Sequence, residues 1–411
     1  MKKQVHPASR DLSVQSPGDA TPPLHVLTIT PFYPSVENEV NGCFIKEPLD
    51  LLATDATTST VLAVSPLHHS QRRSTPLAPA TWLRFPQIPG NLGLSSAGRS
   101  LYLRLAGRAS RIHHERPISV IHAHGALPCG QAAALLAKRL GVPFVVSVHG
   151  LDVFNQSGEK GAAAHWRRSS SIACYQSAHA VVCVSGKVQQ LLCDNVPGHV
   201  STAVVYNGVD AEFFAPVPTA HTQGSVVLAV GNLIPTKGQD LLVRALARLV
   251  PAFPQLKCRF IGEGPDLPRL RSLANELGIR EQVEFLGRHS RKGVADAMRR
   301  CTVFALPSRS EGLGCVYLEA MACAKPVVAC RGQGIEEIID HEKNGWLISP
   351  DNLDELTAAV ATMLRNPNLC LNLGSAARQT VLESLTLSHQ ARRLEAIYRE
   401  AAGSMRAAPE L

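Results

Sequence analysis

The stretch SRSEGLGCVYLEAMACAKPVVAC, Ser308–Cys330, sets one glutamate against a Gly-Leu-Gly turn and a second glutamate eight positions later. It follows the apolar run VFALP (303–307) and closes on another, PVVAC (326–330). Strand, glycine turn, helix and strand in that order read as one βαβ unit of a parallel sheet. Eight residues advance a helix by about 12 Å, so Glu319 stands two turns beyond Glu311. Glu311 at the helix mouth has an ordinary reading as a cap that complements the helix dipole. Capping does not account for Glu319, which sits among apolar neighbours in CVYLEAMAC, where a carboxylate needs a partner.

Outward from this unit the same alternation repeats. In the second half, short apolar runs read as strands at 226–232, 256–262, 283–287, 303–307, 326–330 and 345–349. In the first half they fall at 24–30, 59–65, 119–124, 143–149, 180–185 and 202–207. Near-continuous apolar strands with helices between them predict two α/β doubly wound parallel sheets. Their carboxyl edges would face each other across a cleft. The prolines and small polar residues of 211–225 read as the connection. The expected division is a lead-in over 1–23, a first domain over 24–212 with 388–411 crossing back onto it, a linker over 213–225 and a second domain over 226–387. The stretch from Pro66 to Ala97, rich in Pro, Gly and Ser, reads as a long loop.

Composition narrows the class. The 411 residues are 45% hydrophobic and 18% charged, which fits globular domains and not a disordered or fibrous chain. No apolar run approaches the roughly 20 residues of a membrane span, and no apolar core follows Lys2 and Lys3 as in a secretory leader. The 11 cysteines form no C-x-x-C and several lie in strand-like runs, so buried free thiols in a reducing compartment are expected. The +8 charge is spread along the chain without a basic tail, so no nucleic-acid partner is expected.

Two further segments suggest anion chemistry. In GNLIPTKGQDLL (231–242), Gly231 ends a strand and Lys237-Gly238 opens a helix. Outward-pointing N–H groups and a lysine make a phosphate site, although the spacing is not that of a Walker A loop. An exposed lysine in a βα turn is the plain alternative. In IGEGPDLPRL (261–270), Gly262 and Gly264 permit close backbone approach or simply a tight turn.

The ordered set VIHAHG, VVSVHGLDVF, AVVCVSGKV, YNGVDAEFF, VGNLIPTKG, GEGP, VEFLG, the Glu-x7-Glu segment and GIEEIIDHEKNGWLISPDN resembles retaining glycosyltransferase family 4, of GT-B fold. The resemblance implies a two-domain enzyme that moves sugar from a nucleotide-diphosphate sugar (UDP- or GDP-sugar) to a glycan or lipid-linked acceptor, with no further cofactor or metal. It implies that Glu311 holds sugar hydroxyls, that Gly312, Leu313 and Gly314 lie beside sugar and diphosphate, and that Glu319 accepts from the ribose. Lys237 would bind diphosphate beside Gly231 and Asn232, with Gly262 in the neighbouring turn and Gly287 and Arg288 near the base. His149 would reach the donor sugar, with Asp152 on the acceptor side, and Gly42 would lie close to the phosphates. Asn232 departs from the family's usual arginine, and Arg309 is the candidate substitute.

Rival readings remain at this stage. His122, His124, His149 and Asp152 make a tolerable metallohydrolase set. A nucleotide-sugar epimerase or a sugar-nucleotide-binding scaffold would use the same fold. The segment 99–117 reads as an amphipathic helix, with Tyr102, Leu105, Ala109 and Ile112 inward and Arg104, Arg108 and Arg111 outward. That basic face would suit a lipid-linked acceptor or peripheral contact with the inner membrane face, or stand as a solvated arginine face. A cytoplasmic role in surface polysaccharide synthesis follows from the resemblance alone.

Overall fold

The computed structural model describes residues 23–36, 38–54, 56–68, 80–88, 91–150, 161–217 and 225–406. All strand pairings within its two sheets are parallel. The first sheet contains β1 (Leu24–Thr30), β2 (Thr57–Pro66), β3 (Ala80–Phe85), β4 (Val120–His124), β5 (Phe144–Val148), β6 (Ala180–Cys183) and β7 (Thr202–Val204), ordered β3-β2-β1-β4-β5-β6-β7. The second contains β8 (Val226–Val230), β9 (Lys257–Ile261), β10 (Val283–Phe285), β11 (Val303–Ala305), β12 (Val327–Cys330) and β13 (Trp346–Ile348), ordered β10-β9-β8-β11-β12-β13. The expected pair of doubly wound α/β domains is therefore present.

Chain direction reverses its progress across each sheet at one place, between β1 and β4 in the first and between β8 and β11 in the second. Ligands of open α/β sheets bind outside the strand ends at these switch points. The loops after β1, β5, β8 and β11 carry Gly42, His149, Gly231 and Glu311, so topology alone gathers the expected site.

The stretch taken as one loop over 66–97 is not one. It contains β3, and α2 (Asn91–Glu115) begins inside it. The β3 residues ATWLRF are only partly buried and occupy a sheet edge. Thr81 and Arg84 interrupt the apolar character of β3, as a half-covered edge strand permits, so it lacks the continuous run that marks the other strands.

Helix α1 (Cys43–Leu52) and the long helix over Leu387–Arg406 cover one face of the first sheet, through Ile45, Leu49, Leu394 and the fully buried Tyr398. The opposite face is covered by α2 and α3 (Gln131–Leu140), with α4 (Ala162–Ser177) packed against both. Along α2, Leu105 and Ala109 are buried while Arg104, Arg108 and Arg111 are exposed, as the periodicity predicts. Helix α5 (Gly186–Asn195) follows β6. In the second domain α6 (Gln239–Leu249), α7 (Leu267–Glu276), α8 (Arg291–Arg300) and α9 (Cys315–Ala322) follow β8, β9, β10 and β11 in turn. No helix among the described residues is long and apolar enough to cross a membrane.

The two halves meet backbone to backbone. A Cβ at Gly312 would lie 2.5 Å from the His149 carbonyl oxygen of the first half; one at Gly334 would lie 1.8 Å from the Gly312 carbonyl oxygen of its own half and 2.8 Å from the Ser185 hydroxyl oxygen of the other. The Ser185 hydroxyl donates to that same Gly312 oxygen at 2.7 Å. Beside it the Glu337 carboxylate accepts from the Gly186 and Lys187 N–H groups at 2.7 and 2.5 Å, at the start of α5. It also accepts from the Tyr206 hydroxyl at 3.0 Å. Gly334→Ala should force this seam apart and lower stability by about 1–3 kcal/mol. Gly107→Ala, where the new methyl meets nothing within 4 Å, should leave the melting temperature unchanged or higher. Thermal denaturation of the two variants checks both.

Candidate active site

After β8 the chain turns through Gly231 and Asn232 into a short 3-10 turn, Pro235–Lys237, and then α6. The Gln239 side-chain amide donates to the Asn232 carbonyl at 2.9 Å, which fixes the turn. A Cβ at Gly262 would lie 2.0 Å from the Gly231 carbonyl oxygen, and the Gly262 N–H donates to the Gly287 carbonyl at 2.8 Å. Gly262 is thus required where two loops press together, before any ligand arrives.

After β11 the loop carries Glu311 to the Lys237 ammonium, forming an ion pair between mostly buried side chains. The Ser308 hydroxyl donates to the same carboxylate at 3.5 Å. The Glu311 N–H is held by the Gln333 side-chain oxygen at 2.9 Å. Glu311 is therefore not a helix cap; its partner is the lysine of the phosphate-like loop, 74 residues away in sequence. Leu313 is buried, and left-handed Gly314 leads into α9.

Glu319, on the second turn of α9, borders a cavity of about 430 Å³ between the domains. Gly42, Gly231, Asn232, Gly262 and Arg288 border it too. Burial pushes the Glu319 carboxyl up to about 7; the Arg291 guanidinium opposes that rise and the Glu47 carboxylate adds to it. The sequence reading did not single out Arg291 or Glu47. Arg291 opens α8, borders the cavity and donates to the Glu47 carboxylate of α1 at 2.9 Å. Its guanidinium lies over the Phe213 and Phe214 rings, 4.7 and 5.2 Å from their centroids. Arginines abound in this chain, and nothing local in SRKG marks this one as the link between domains.

Arg309 does not stand in for the missing arginine at position 232. Its guanidinium donates to Asp240 at 2.9 and 3.2 Å and to Asp351 at 2.6 Å. Arg288 faces Glu263 at 3.4 Å across the cavity rim. Arg104 and Arg108 lie on exposed α2, away from the cavity-lining residues. Asp152 lies outside the described residues.

His149 is half-buried beside the seam, its ring 5.0 Å from that of Phe44. Its Nε2 is 3.0 Å from His124 Nδ1. Burial pushes the His149 imidazole down to about 4 and His124 well below its ordinary range, so both are neutral. His122 has both ring nitrogens engaged, by the Tyr398 hydroxyl at 2.7 Å and the Ser147 hydroxyl at 2.8 Å. No group of three or more His, Cys, Asp or Glu among the described residues is placed to hold a metal ion.

Comparison with known proteins agrees with this architecture. Residues 210–380 match the family model "Glycosyl transferases group 1" and residues 58–213 match "Glycosyltransferase Family 4". The D-inositol 3-phosphate glycosyltransferase of Saccharomonospora viridis is 32% identical over 70% of this chain and 71% of its own. A GDP-mannose-dependent alpha-(1-6)-phosphatidylinositol monomannoside mannosyltransferase of Mycolicibacterium smegmatis is 35% identical over 43% of this chain and half of its own. Among solved structures, sucrose-phosphate synthase from Thermosynechococcus elongatus superposes with a TM-score of 0.78 at 20% identity, covering 93% of this chain and 100% of that one. HepE from Anabaena in complex with UDP-glucose superposes with a TM-score of 0.69 at 20% identity, covering 94% and 100%.

The raised Glu319 carboxyl has a consequence for stability. The folded chain holds this proton more tightly than the unfolded chain, whose glutamate titrates near 4.5. Its contribution is therefore full below about 4.5 and is lost as pH rises through about 7. Glu319→Gln should flatten the fall in melting temperature over that interval, as measured by calorimetry across the same pH range.

Proposed function

Since the chain belongs to glycosyltransferase family 4 and has the GT-B fold, we propose that it moves a sugar from a nucleoside-diphosphate sugar to a hydroxyl of a glycan or lipid-linked acceptor, with retention at the anomeric carbon. The observation that carries this reading is an interdomain cavity bordered by Gly231, Asn232 and Glu319, with the Lys237–Glu311 ion pair joining the loop that continues from Asn232 to the loop that leads into the helix of Glu319. A diphosphate brought to Lys237 competes with Glu311 for the ammonium. Each phosphate oxygen it supplies releases the carboxylate, which then accepts from sugar hydroxyls. One event thus seats the leaving group and frees the group that reads the sugar.

Glu319, which borders the cavity, receives the ribose hydroxyls; Arg288, on the same cavity, and Gly287 lie toward the base. Gly231, Asn232 and Gly42 bring main chain close to the phosphates, with Gly262 supporting the turn. Gly312, Leu313 and Gly314 place backbone beside the sugar. Neutral His149 approaches the sugar from the first domain, next to the Gly312 seam.

In the reaction the bond from the anomeric carbon to the diphosphate oxygen breaks and one to the acceptor oxygen forms on the same face. The acceptor proton passes to the departing diphosphate. Lys237 and the surrounding N–H donors stabilise the charge that develops there, with no divalent ion called for. Uridine and guanosine donors both remain in play, given the UDP-glucose complex and the GDP-mannose-dependent relative. The acceptor belongs to the first domain, and surface polysaccharide is its expected class.

The exposed face of α2, with Arg104, Arg108 and Arg111 beside Leu103 at 76% exposure, suits anionic lipid at the cytoplasmic membrane. Arg104→Glu with Arg108→Glu should weaken sedimentation with phosphatidylglycerol vesicles; unchanged sedimentation removes the membrane contact and leaves the transfer reaction standing.

For the donor, melting temperature is measured with UDP, GDP and ADP and their sugars in EDTA. A ligand at 100 times its dissociation constant stabilises by about 2.7 kcal/mol. One nucleotide should shift the transition, and Glu319→Ala should abolish the shift. Lys237→Ala should lower transfer by about 10²–10³-fold, in the range for removing one donor to a developing anion. No shift with any nucleotide would overturn the reading.

A further inference from the structure

Among the described residues, one side chain makes a hydrogen bond to the His149 ring, that of His124. The two imidazoles lie nearly parallel, 15° apart with centroids 5.3 Å from each other, and join through His124 Nδ1 and His149 Nε2 at 3.0 Å. Both are neutral, so this contact holds a single proton, and which ring carries it fixes the tautomer of both.

The other side of His124 decides between the two arrangements. Its Nε2 is buried and meets no hydrogen-bonding group among the described residues. The adjoining cavity, about 20 Å³, is walled largely by apolar side chains such as Phe44, Leu49, Val184 and Leu394. Polar groups that share its wall are engaged elsewhere: Ser147 and Tyr398 with His122, and Gln390 with Gly208 and Asn207. If His149 donated, His124 would carry its hydrogen on Nε2, a buried N–H with no protein acceptor. If His124 donates from Nδ1, only a lone pair is left there. Orphaned buried N–H groups are the rarer of the two in folded proteins.

We propose that His124 is a positioning residue that donates from Nδ1 to His149 Nε2, holding His149 as its Nδ1–H tautomer and presenting that N–H as a neutral donor to the cleft. His149 can then give a hydrogen bond to a sugar oxygen without adding positive charge that would compete with Lys237 for the diphosphate. It also cannot accept a proton at Nδ1, which removes it as a general base there. The second histidine in VIHAHG acquires a role distinct from that of the first. His122 is a structural tie between Ser147 of β5 and Tyr398 of the C-terminal helix, whereas His124 acts forward on the site.

The inference rests on the proposed role of His149 at the donor, but its test does not. In the ligand-free full-length protein with 15N-labelled histidine, long-range 15N–1H correlation spectra report the tautomer of each ring. His149 is expected with the proton on Nδ1 and a bare Nε2; an Nε2–H or imidazolium signal for His149 would overturn the proposal whatever the enzyme transfers.

Substitution supplies a second readout. In His124→Asn the side-chain amide nitrogen would stand near the place of the imidazole Nδ1, so this change keeps the donor, whereas His124→Leu removes it. His124→Leu should lower kcat about tenfold or more with little change in donor KM, as for lost supporting hydrogen bonds elsewhere. His124→Asn should restore most of the loss. Equal activity of His124→Leu and the parent, or failure of His124→Asn to outperform His124→Leu at equal melting temperature, would refute it. If His124→Leu does not fold, the tautomer of the parent protein and the activity of His124→Asn decide. Absence of all transferase activity alongside an Nδ1–H signal would count against the proposed reaction and not against the His124–His149 bond.

Discussion

The structure turns on one backbone oxygen, that of Gly312. It accepts from Ser185 of the first domain, and a methyl on Gly334 would strike it. Gly312 itself lies so close to the His149 carbonyl that it has no room for a side chain. The His149 carbonyl against Gly312 and the Ser185 hydroxyl on the Gly312 oxygen therefore set the distance between the sheet edges, with Gly334 backing Gly312 from within the second domain. Side-chain contacts follow from that approach. Glu337 reaches the first N–H groups of α5, where the helix dipole favours a carboxylate. Arg291 reaches Glu47 across the other side of the cleft. A wider seam would separate both pairs and with them His149 from the Glu311 loop.

Charge is managed within this frame by internal pairing. Arg309 is taken up by Asp240 and Asp351, Arg291 by Glu47, and Lys237 by Glu311. These pairs are not equivalent. Arg309 has two carboxylates in fork geometry and is structural. Lys237 has one, and an ammonium is a compact charge that can exchange partners without a planar match. A mostly buried pair of this kind is a weak source of stability, since desolvation offsets much of the attraction. It is well suited to be replaced by an incoming anion, which restores the lysine's charge balance and leaves the carboxylate to other hydrogen bonds.

Much of this was legible in the sequence because parallel strands covered on both faces must be apolar along their length. Twelve such runs correspond to twelve of the strands; the exception, β3, lies at a sheet edge, where ATWLRF is only partly buried and breaks its apolar run with Thr81 and Arg84. The Glu-x7-Glu spacing also survives folding, since it is a distance along one loop and helix. Contacts between distant residues were not legible. Glu311 and Lys237 are 74 positions apart and Arg291 and Glu47 are 244 apart. Local sequence marks neither pair as partners. Arg309 shows the opposite error: it is close to the site in sequence, yet Asp240 of α6 has already claimed it. Gly262 stands between the two cases, because a glycine tells of close approach without telling whether a ligand or another loop approaches.

The neutral groups of the cleft complete the argument. His149 and His124 are uncharged through burial, and Glu319 stays largely protonated at pH below about 7 for the same reason. Each could have been held charged by a partner of opposite sign, as Asp240 is held by Arg309. They are instead held neutral, and a neutral imidazole or carboxyl can both give and receive hydrogen bonds. Glu319 keeps both capacities, whereas His149, its Nε2 engaged by His124, would offer a neutral donor. The charges are kept at Lys237 and Glu311, and on the proposed function the neutral His149 and Glu319 would meet the hydroxyls. If the cleft takes a nucleotide sugar as proposed, this arrangement would separate the two tasks such binding imposes: countering a diphosphate, and sorting hydroxyls that carry no charge.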